Sequence, residues 1–174
     1  MVPTLSLNEW TVLCLLAEQP AHGFALARHL EPASDLGRII TVRRPLVYRA
    51  LDRVVAAQLA EPHLTEPGAA GPRRTKYRIT PEGQRAATTW MSTPVTHVRD
   101  LRIEFLVKMR LYERSDNDPS PLVRAQRATL AATLDQLREL GKDADVVEQW
   151  RHHNAIAVTH FLEALNPSTP HPFS

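Results

Sequence analysis

The spacing of apolar residues predicts three helices in the first third of the chain. Residues 7–17 are mostly apolar and should form a largely buried helix that Ser6 or Asn8 can cap. A second helix is predicted over 23–31, with one apolar face that consists of Phe24, Ala27 and Leu30. Residues 45–58 carry apolar side chains at helical spacing, so a third helix should turn one side toward the core.

Two short segments after the third helix have the pattern of β-strands. Residues 59–65 are expected to form a strand in which Pro62 marks a sheet edge or a bulge. Residues 66–72 are rich in glycine and proline and should form a turn. In residues 75–79 successive side chains point to opposite faces of the predicted strand, and the side chains of one face are basic. Upstream, residues 39–42 are β-branched and could be a short strand or an extended lead-in to the third helix.

The rest of the chain is predicted to be helical. Thr80 should cap a helix that runs to about residue 91, because a proline and an acid follow it in the first turn. Further helices are expected over 99–113, which is apolar on most sides, over 121–141 and over 144–165. Residues 166–174 are rich in proline and serine and should be loose.

The order of these elements is that of a winged helix-turn-helix, in which the third helix enters the DNA major groove beside a β-hairpin. We therefore expect a mostly α fold with a small β-hairpin. Residues 1–93 would form the DNA-binding domain, 94–166 a helical dimerisation and effector region, and 167–174 a loose tail. The long helices after Pro119 need a partner for their apolar stripes, which predicts a homodimer on a palindromic operator.

The distribution of charge supports a polyanionic partner more than the total does. The net charge is only +2. Residues 38–78 nevertheless contain nine basic and three acidic side chains, whereas residues 91–174 contain 10 basic and 11 acidic ones. Such a basic window can be an ordinary solvated surface. Because it coincides with the predicted third helix and hairpin, pattern and charge together favour double-stranded DNA as the partner.

The candidate DNA contacts are the basic and aromatic side chains of these two elements. On the third helix they could contact phosphates or base edges, or they could form a solvated face. Tyr48 could instead be a partly buried structural residue. On the hairpin they would contact phosphates or the minor groove. The candidates are Arg43, Arg44, Tyr48, Arg49, Arg73, Arg74 and Lys76.

The helical second half supplies candidates for self-association and for binding a small effector. An apolar stripe on the last two helices would form the dimer interface, and it consists of Leu130, Leu134, Leu137, Trp150, Val158, Phe161 and Leu165. An effector site could be lined by Trp10, Trp150, Phe105 and Met109. The alternative is that these large apolar side chains are core and interface anchors.

Other chemistry finds little support in the sequence. Cys14 lies in an apolar helix and should be an inert buried thiol, and a single cysteine excludes an internal disulfide. His152, His153 and His160 could share a helix face, but the spacing of a metal site is missing, so we expect no metal and no cofactor. Catalytic motifs are also missing, and we expect no enzyme. With neither a membrane-spanning run nor a signal peptide, a cytoplasmic protein is expected.

Four segments of the chain resemble the PadR-type transcriptional regulators. They are Leu5–Leu13, Pro20–Leu26, Leu46–Val54 and Tyr77–Gly83, so that the similarity covers residues 5–90. The resemblance implies a dimeric DNA-binding protein, usually a repressor, that responds to small aromatic or lipophilic effectors. Family members often have a small residue before the Leu-Tyr pair of the third helix. This chain instead has Arg43-Arg44-Pro45, which favours phosphate contact over a base contact carried over from the family.

The alternative function from the same fold is a winged-helix protein-interaction adaptor without specific DNA binding. An exposed apolar third helix would favour the adaptor. The third helix of this chain is instead rich in arginine, which favours the DNA-binding regulator.

Overall fold

The computed structural model describes residues 4–68, 71–139 and 145–165, and within these ranges the side chains of 66–68 and 71–73 are not described. The elements are α1 (Leu7–Glu18), β1 (Ala21–His22), α2 (Gly23–Arg28), α3 (Arg44–Ala56), β2 (Ala60–Gly68), β3 (Gly71–Ile79), α4 (Pro81–Ser92), a 3-10 helix (Val98–Arg102), α5 (Glu104–Arg114), α6 (Ser120–Arg138) and α7 (Val146–Ala164). The predicted fold class, mostly α with a small β-hairpin, is confirmed.

The described residues group into two compact units. The first unit contains residues up to Ser92 together with Leu106–Asp116, and the second contains Thr93–Phe105 together with the residues from Asn117 onward. The segment Leu106–Asp116 thus packs with elements that precede it by many residues, a grouping that sequence periodicity does not predict. The predicted loose tail lies outside the described residues.

Helix α1 is the central element of the first unit. Its start is fixed by a capping box, in which the N–H of Glu9 donates to Oγ of Ser6 and the N–H of Ser6 donates to Oε2 of Glu9. The predicted Ser6 cap is therefore confirmed. Every residue from Trp10 to Leu16 is buried, and α1 packs against α3 through a core that includes Leu13, Val47 and Leu51.

One lysine lies inside this apolar unit. Lys108 of α5 is only 1% exposed, and its Nζ lies 4.5 Å from the ring centroid of Trp90. Trp90 in turn stacks on Trp10 with the ring centroids 5.5 Å apart. The face of an indole ring attracts a cation, so the stacked pair contributes to holding the ammonium group in a buried position.

The sheet of the described residues has the strand order β1-β3-β2, and both pairings are antiparallel. The register of β2 shifts between Pro62 and Leu64, and β2 lies at the edge, which confirms both roles expected of this proline. Strand β1 is only Ala21–His22, pairs with Tyr77 and Lys76 of β3, and was not predicted.

Several predicted boundaries in the first unit were wrong. Helix α2 ends at Arg28 rather than near residue 31, because the chain turns there and continues into the loop before α3. Of the two alternatives for residues 39–42, the strand does not form in this described segment. Ile39 ends a turn in which the N–H groups of Ile39 and Ile40 both donate to the carbonyl of Leu36. The hairpin strands extend to Gly68 and start again at Gly71, so much of the predicted turn 66–72 is strand.

The loop before α3 is tied to helices α1 and α5 by ion pairs. The Arg114 guanidinium donates to both carboxylate oxygens of Glu18, at 2.8 and 2.6 Å, and to Asp35 at 2.9 Å. Arg110 donates to the same oxygen of Asp35 at 3.2 Å. Burial alone would raise the pKa of Asp35. Hydrogen bonds from Arg114 and from the Leu36 N–H, and the charges of both arginines, hold this pKa below its ordinary value.

The second unit is built on the packing of α6 against α7. Leu130, Leu134, Ala155 and Leu162 are buried between or beside these helices. The chain upstream of α6 is attached through Gln126, whose side-chain amide bonds both the N–H and the carbonyl of Val95, each at 2.8 Å.

Three features of the helices after α4 differ from the predicted helices or add detail to them. The predicted helix over 99–113 is divided, because Ile103 leaves helical geometry (φ −120°, ψ −67°) between the 3-10 helix and α5. Helix α7 begins at a capping box formed by Asp145 and Glu148. Helix α6 ends at Arg138, and the glycine that was expected to stop it lies outside the described residues.

Candidate nucleic-acid interface

Helix α3 has one buried and one exposed side. Val47, Ala50, Leu51 and Val54 are buried, and their spacing turns the intervening residues outward. Arg43 precedes the helix in extended conformation, and Pro45 lies in the first turn, where its missing N–H costs no hydrogen bond. The exposed side thus carries the predicted contacts of this helix, which are Arg43, Arg44, Tyr48 and Arg49.

Tyr48 lies directly against the start of α2. Its side chain is 43% exposed, and its ring occupies the space beside Gly23. A Cβ added to Gly23 would come within 2.5 Å of Cε1 of Tyr48, a distance that real side chains do not tolerate. The glycine therefore allows the tyrosine ring to pack on the backbone of α2 while one edge remains in solvent.

The hairpin β2–β3, here termed the wing, presents a second group of basic residues. Arg74 is exposed and Lys76 is half-buried. Arg78 is paired with Glu61, with Nη2 and Oε1 2.7 Å apart, so its charge is partly neutralised within the wing. The backbone of Arg73 belongs to β3, but its side chain lies outside the described residues.

Phe24 of α2 lies between the two groups. The guanidinium carbon of Arg44 lies 4.8 Å from the centroid of the Phe24 ring, and that of Arg74 lies 5.9 Å from it. Both distances are within the range of a cation–π interaction. Phe24 thus joins the exposed side of α3 to the wing. Arg44 is also 3.5 Å from the carboxylate of Glu31.

The expectation that Phe24 belongs to the apolar face of α2 was wrong. Its side chain is 40% exposed, whereas Ala27 and Leu30 are buried. The helical geometry gives the reason. Within α2, at about 100° per residue, Leu26 lies on the opposite side of the helix from Phe24, and Leu26 is the large side chain that is buried. The sequence signals that could have shown this are the separation of Phe24 from Leu26 around the helix and the position of Phe24 directly after a glycine.

The predicted effector residues occupy different environments. Trp10 and Met109 are buried in the first unit, where Trp10 is stacked on Trp90. Phe105 is fully buried in the second unit, with its ring edge-on to Phe161 at 6.4 Å. Trp150 is 68% exposed. Three of the four predicted residues are therefore buried, and the fourth is exposed.

The predicted dimerisation stripe is partly internal to the second unit. Leu130 and Leu134 are buried in the packing of α6 against α7, and the half-buried members are Leu137, Val158 and Leu165. Trp150 and Phe161 are exposed. Two further apolar residues at the start of α7, Val146 and Val147, are exposed as well.

Cys14 is buried, and His152 is bonded to a backbone carbonyl. Burial, together with the nearby Glu18 carboxylate, raises the pKa of Cys14 to about 12, although Lys108 acts against this shift. The thiol therefore stays protonated and weakly nucleophilic. His152 is hydrogen-bond partner to the carbonyl of Leu137 at 3.2 Å. Within the described ranges no cluster of three His, Cys, Asp or Glu side chains could hold a metal ion.

The fold and the exposed basic residues define a winged helix-turn-helix, a class of DNA-binding domain. Residues 12–89 match the family model described as Transcriptional regulator PadR-like family. This segment is therefore similar to the PadR-like transcriptional regulators, and the resemblance carried by the four sequence segments is confirmed. No helix among the described residues has the length and apolar character needed to cross a membrane.

Three solved structures that match this chain share 15% sequence identity with it. Bacillus subtilis PadR in complex with operator DNA gives a TM-score of 0.50, covering 93% of this chain and 97% of that chain. Bacillus subtilis PadR in complex with p-coumaric acid gives a TM-score of 0.46, covering 91% of this chain and 96% of that chain. The protein smu.1604c from Streptococcus mutans UA159 gives a TM-score of 0.45, covering 89% of this chain and 95% of that chain. Among curated proteins, none matches this chain.

Proposed function

We propose that the chain is a homodimeric repressor that binds a palindromic operator through α3 and the wing. The observation that carries this proposal is the exposure of Arg43, Arg44 and Arg49 on α3 beside the exposed Arg74 of the wing. Guanidinium groups suit phosphate contacts because they donate several hydrogen bonds in a fixed plane. The fold is shared with Bacillus subtilis PadR, which has been crystallised with operator DNA.

The test measures DNA affinity and its dependence on salt. The probe is a duplex from the promoter upstream of the chain's own gene, titrated between about 50 and 200 mM salt. Arg44→Ala and Arg74→Ala should each weaken binding, and each should reduce the slope of log affinity against log salt by about 0.9 for a lost phosphate contact. Arg138→Ala is the matched control, because it removes an exposed arginine of α6 and should leave both quantities unchanged. Wild-type affinity and slope in both test variants would overturn the proposed interface.

The exposed apolar residues of α7 support the homodimer. Val146, Val147, Trp150 and Phe161 are 78%, 51%, 68% and 38% exposed. Large apolar side chains that are exposed on one helix are typical of an association surface. A second copy would cover them symmetrically, and the two copies would be related by a two-fold axis, as a palindromic operator requires.

The proposed repression would be relieved by a small aromatic or lipophilic effector, as the family resemblance implies. Such an effector would act by favouring a dimer whose two α3 helices no longer match the spacing of the half-sites. Expression from the upstream promoter should rise when the gene is deleted. A panel of small aromatic compounds added to the protein–duplex complex should contain one that releases the duplex.

A further inference from the structure

Phe24 is an exposed aromatic residue with an unusual pair of neighbours. It is 40% exposed, yet the guanidinium carbons of Arg44 and Arg74 lie 4.8 and 5.9 Å from its ring centroid. These two arginines come from α3 and from β3, elements separated by a turn and a strand. A single ring on a third element, α2, therefore contacts one cation from each side of the proposed DNA-binding surface.

The backbone that carries this ring is attached to two neighbouring elements. Gly23, the residue before it, is packed under the Tyr48 ring of α3. His22, one residue earlier, pairs with Lys76 in the sheet. Phe24 therefore follows directly on a segment that is attached to α3 by packing and to β3 by backbone pairing. A ring carried by an anchored backbone can restrict the positions of cations that lie on it.

Holding Arg44 and Arg74 in place before DNA binds lowers the entropy cost of their phosphate contacts. A free arginine side chain has many rotamers, and ordering it for a phosphate contact costs conformational entropy. A cation–π contact restricts those rotamers before DNA arrives and leaves the N–H groups at the edge of the guanidinium plane free to donate. Arg44 also has Glu31 3.5 Å away, and this carboxylate competes with phosphate for the same cation. The ring offers a contact that persists when the phosphate replaces the carboxylate.

We propose that Phe24 is a positioning residue that holds Arg44 and Arg74 in the geometry in which each contacts a DNA phosphate. This inference rests on the proposed function, because it requires both arginines to bind DNA. Phe24 itself contributes no charge. Its removal should therefore lower the affinity without changing the number of phosphates that are neutralised.

The experiment uses the full chain and a mixed-sequence duplex of about 30 base pairs, titrated at several salt concentrations. Phe24→Leu keeps an apolar side chain of similar size and removes the aromatic face. Phe24→Trp keeps the aromatic face. Both variants are also made in an Arg44→Ala/Arg74→Ala background, and thermal unfolding of every variant is recorded to confirm a folded chain.

We expect Phe24→Leu to weaken binding about three- to tenfold with an unchanged salt slope, while Phe24→Trp binds as the wild type does. In the background without the two arginines, Phe24→Leu should have no further effect, because the residue acts through them. Wild-type affinity of Phe24→Leu, equal weakening by the tryptophan, or an undiminished effect in that background would each overturn the inference. If Arg44→Ala and Arg74→Ala alone leave binding unchanged, the proposed function fails as well.

Discussion

Gly23 and Tyr48 show how a single position shapes the exposed side of α3. The ring of Tyr48 lies where a side chain at position 23 would begin. Because Gly23 is buried, a new methyl group there cannot move into solvent. The orientation of Tyr48 therefore depends on a residue that lies 25 positions earlier in the sequence.

Gly23→Ala should destabilise the protein by about 1–3 kcal/mol, the usual cost of overpacking a tight contact. It should also weaken duplex binding, since the Tyr48 ring must move. Urea denaturation measures the first effect. The control is Tyr48→Ala, which removes the ring, so that adding Gly23→Ala to it should cost much less. An equal cost in both backgrounds would mean that the tyrosine is not the obstacle.

Asp35 gives a prediction about pH. Its pKa is lowered in the folded protein, so its carboxylate stabilises the fold at pH values above its unfolded pKa of about 3.9. That stabilisation should be lost as the pH falls below this value and through the folded pKa. Arg114→Gln should lower the unfolding free energy at pH 7 by about 1–3 kcal/mol, because charged hydrogen bonds to Glu18 and Asp35 are lost.

The measurement is the difference in unfolding free energy between wild type and Arg114→Gln as a function of pH. This difference should be constant near neutrality and should shrink in acid, where the carboxylates are protonated and Arg114 has lost its partners. Arg138→Gln, whose arginine is paired with Asp135 on the exposed surface of α6, is the matched control and should change little. A difference that does not shrink in acid would contradict the role given to Asp35.

At the scale of the elements, capping and turn residues predicted much of the fold. Ser6 caps α1 as expected, and Thr80 accepts a hydrogen bond from the N–H of Gly83 at the start of α4. Both signals are local, since a short polar side chain binds backbone groups within one turn. Pro62 is equally local in its effect, because it lacks the N–H that a central strand needs.

The elements that the sequence did not predict depend on distant partners. Strand β1 is two residues long and has no alternation of its own, and it becomes a strand only through pairing with Tyr77 and Lys76. The break at Ile103 interrupts an apolar pattern that continues on both sides. For the candidate interface, periodicity predicts that the arginines of α3 are exposed. It does not predict the contact of Arg44 and Arg74 with Phe24, because these residues lie on three different elements.

Gln126 attaches α6 to the segment that precedes the 3-10 helix, and this attachment should be costly to remove. Gln126→Leu would leave the N–H and the carbonyl of Val95 buried without their partner, at a cost of about 2–4 kcal/mol. Chemical denaturation measures the loss. Gln136→Leu, at an exposed position of the same helix, is the control and should stay within about 0.5 kcal/mol of the wild type. Similar losses in both variants would contradict the role of the Val95 bonds.

At the scale of the whole molecule, the proposed homodimer makes α7 the decisive element. Trp150→Glu should convert the dimer to a monomer, because a charge placed in an apolar interface must be desolvated without a partner. Sedimentation velocity measures the change, and duplex affinity should fall with it, since two linked half-site contacts become one. Leu64→Glu introduces the same charge at an exposed apolar position of the wing and should leave the oligomeric state unchanged. A dimeric Trp150→Glu protein would exclude this part of α7 from the interface.

Strand β1 has a consequence for how this domain could change during evolution. It pairs with β3 at Tyr77 and Lys76, close to the base of the wing, whereas the last paired residues of the hairpin are Gly68 and Gly71. Residues could be inserted beyond these glycines without shifting the register near β1. The length of the wing tip, and with it the reach along a DNA groove, can therefore vary between descendants while the Phe24 region keeps its geometry.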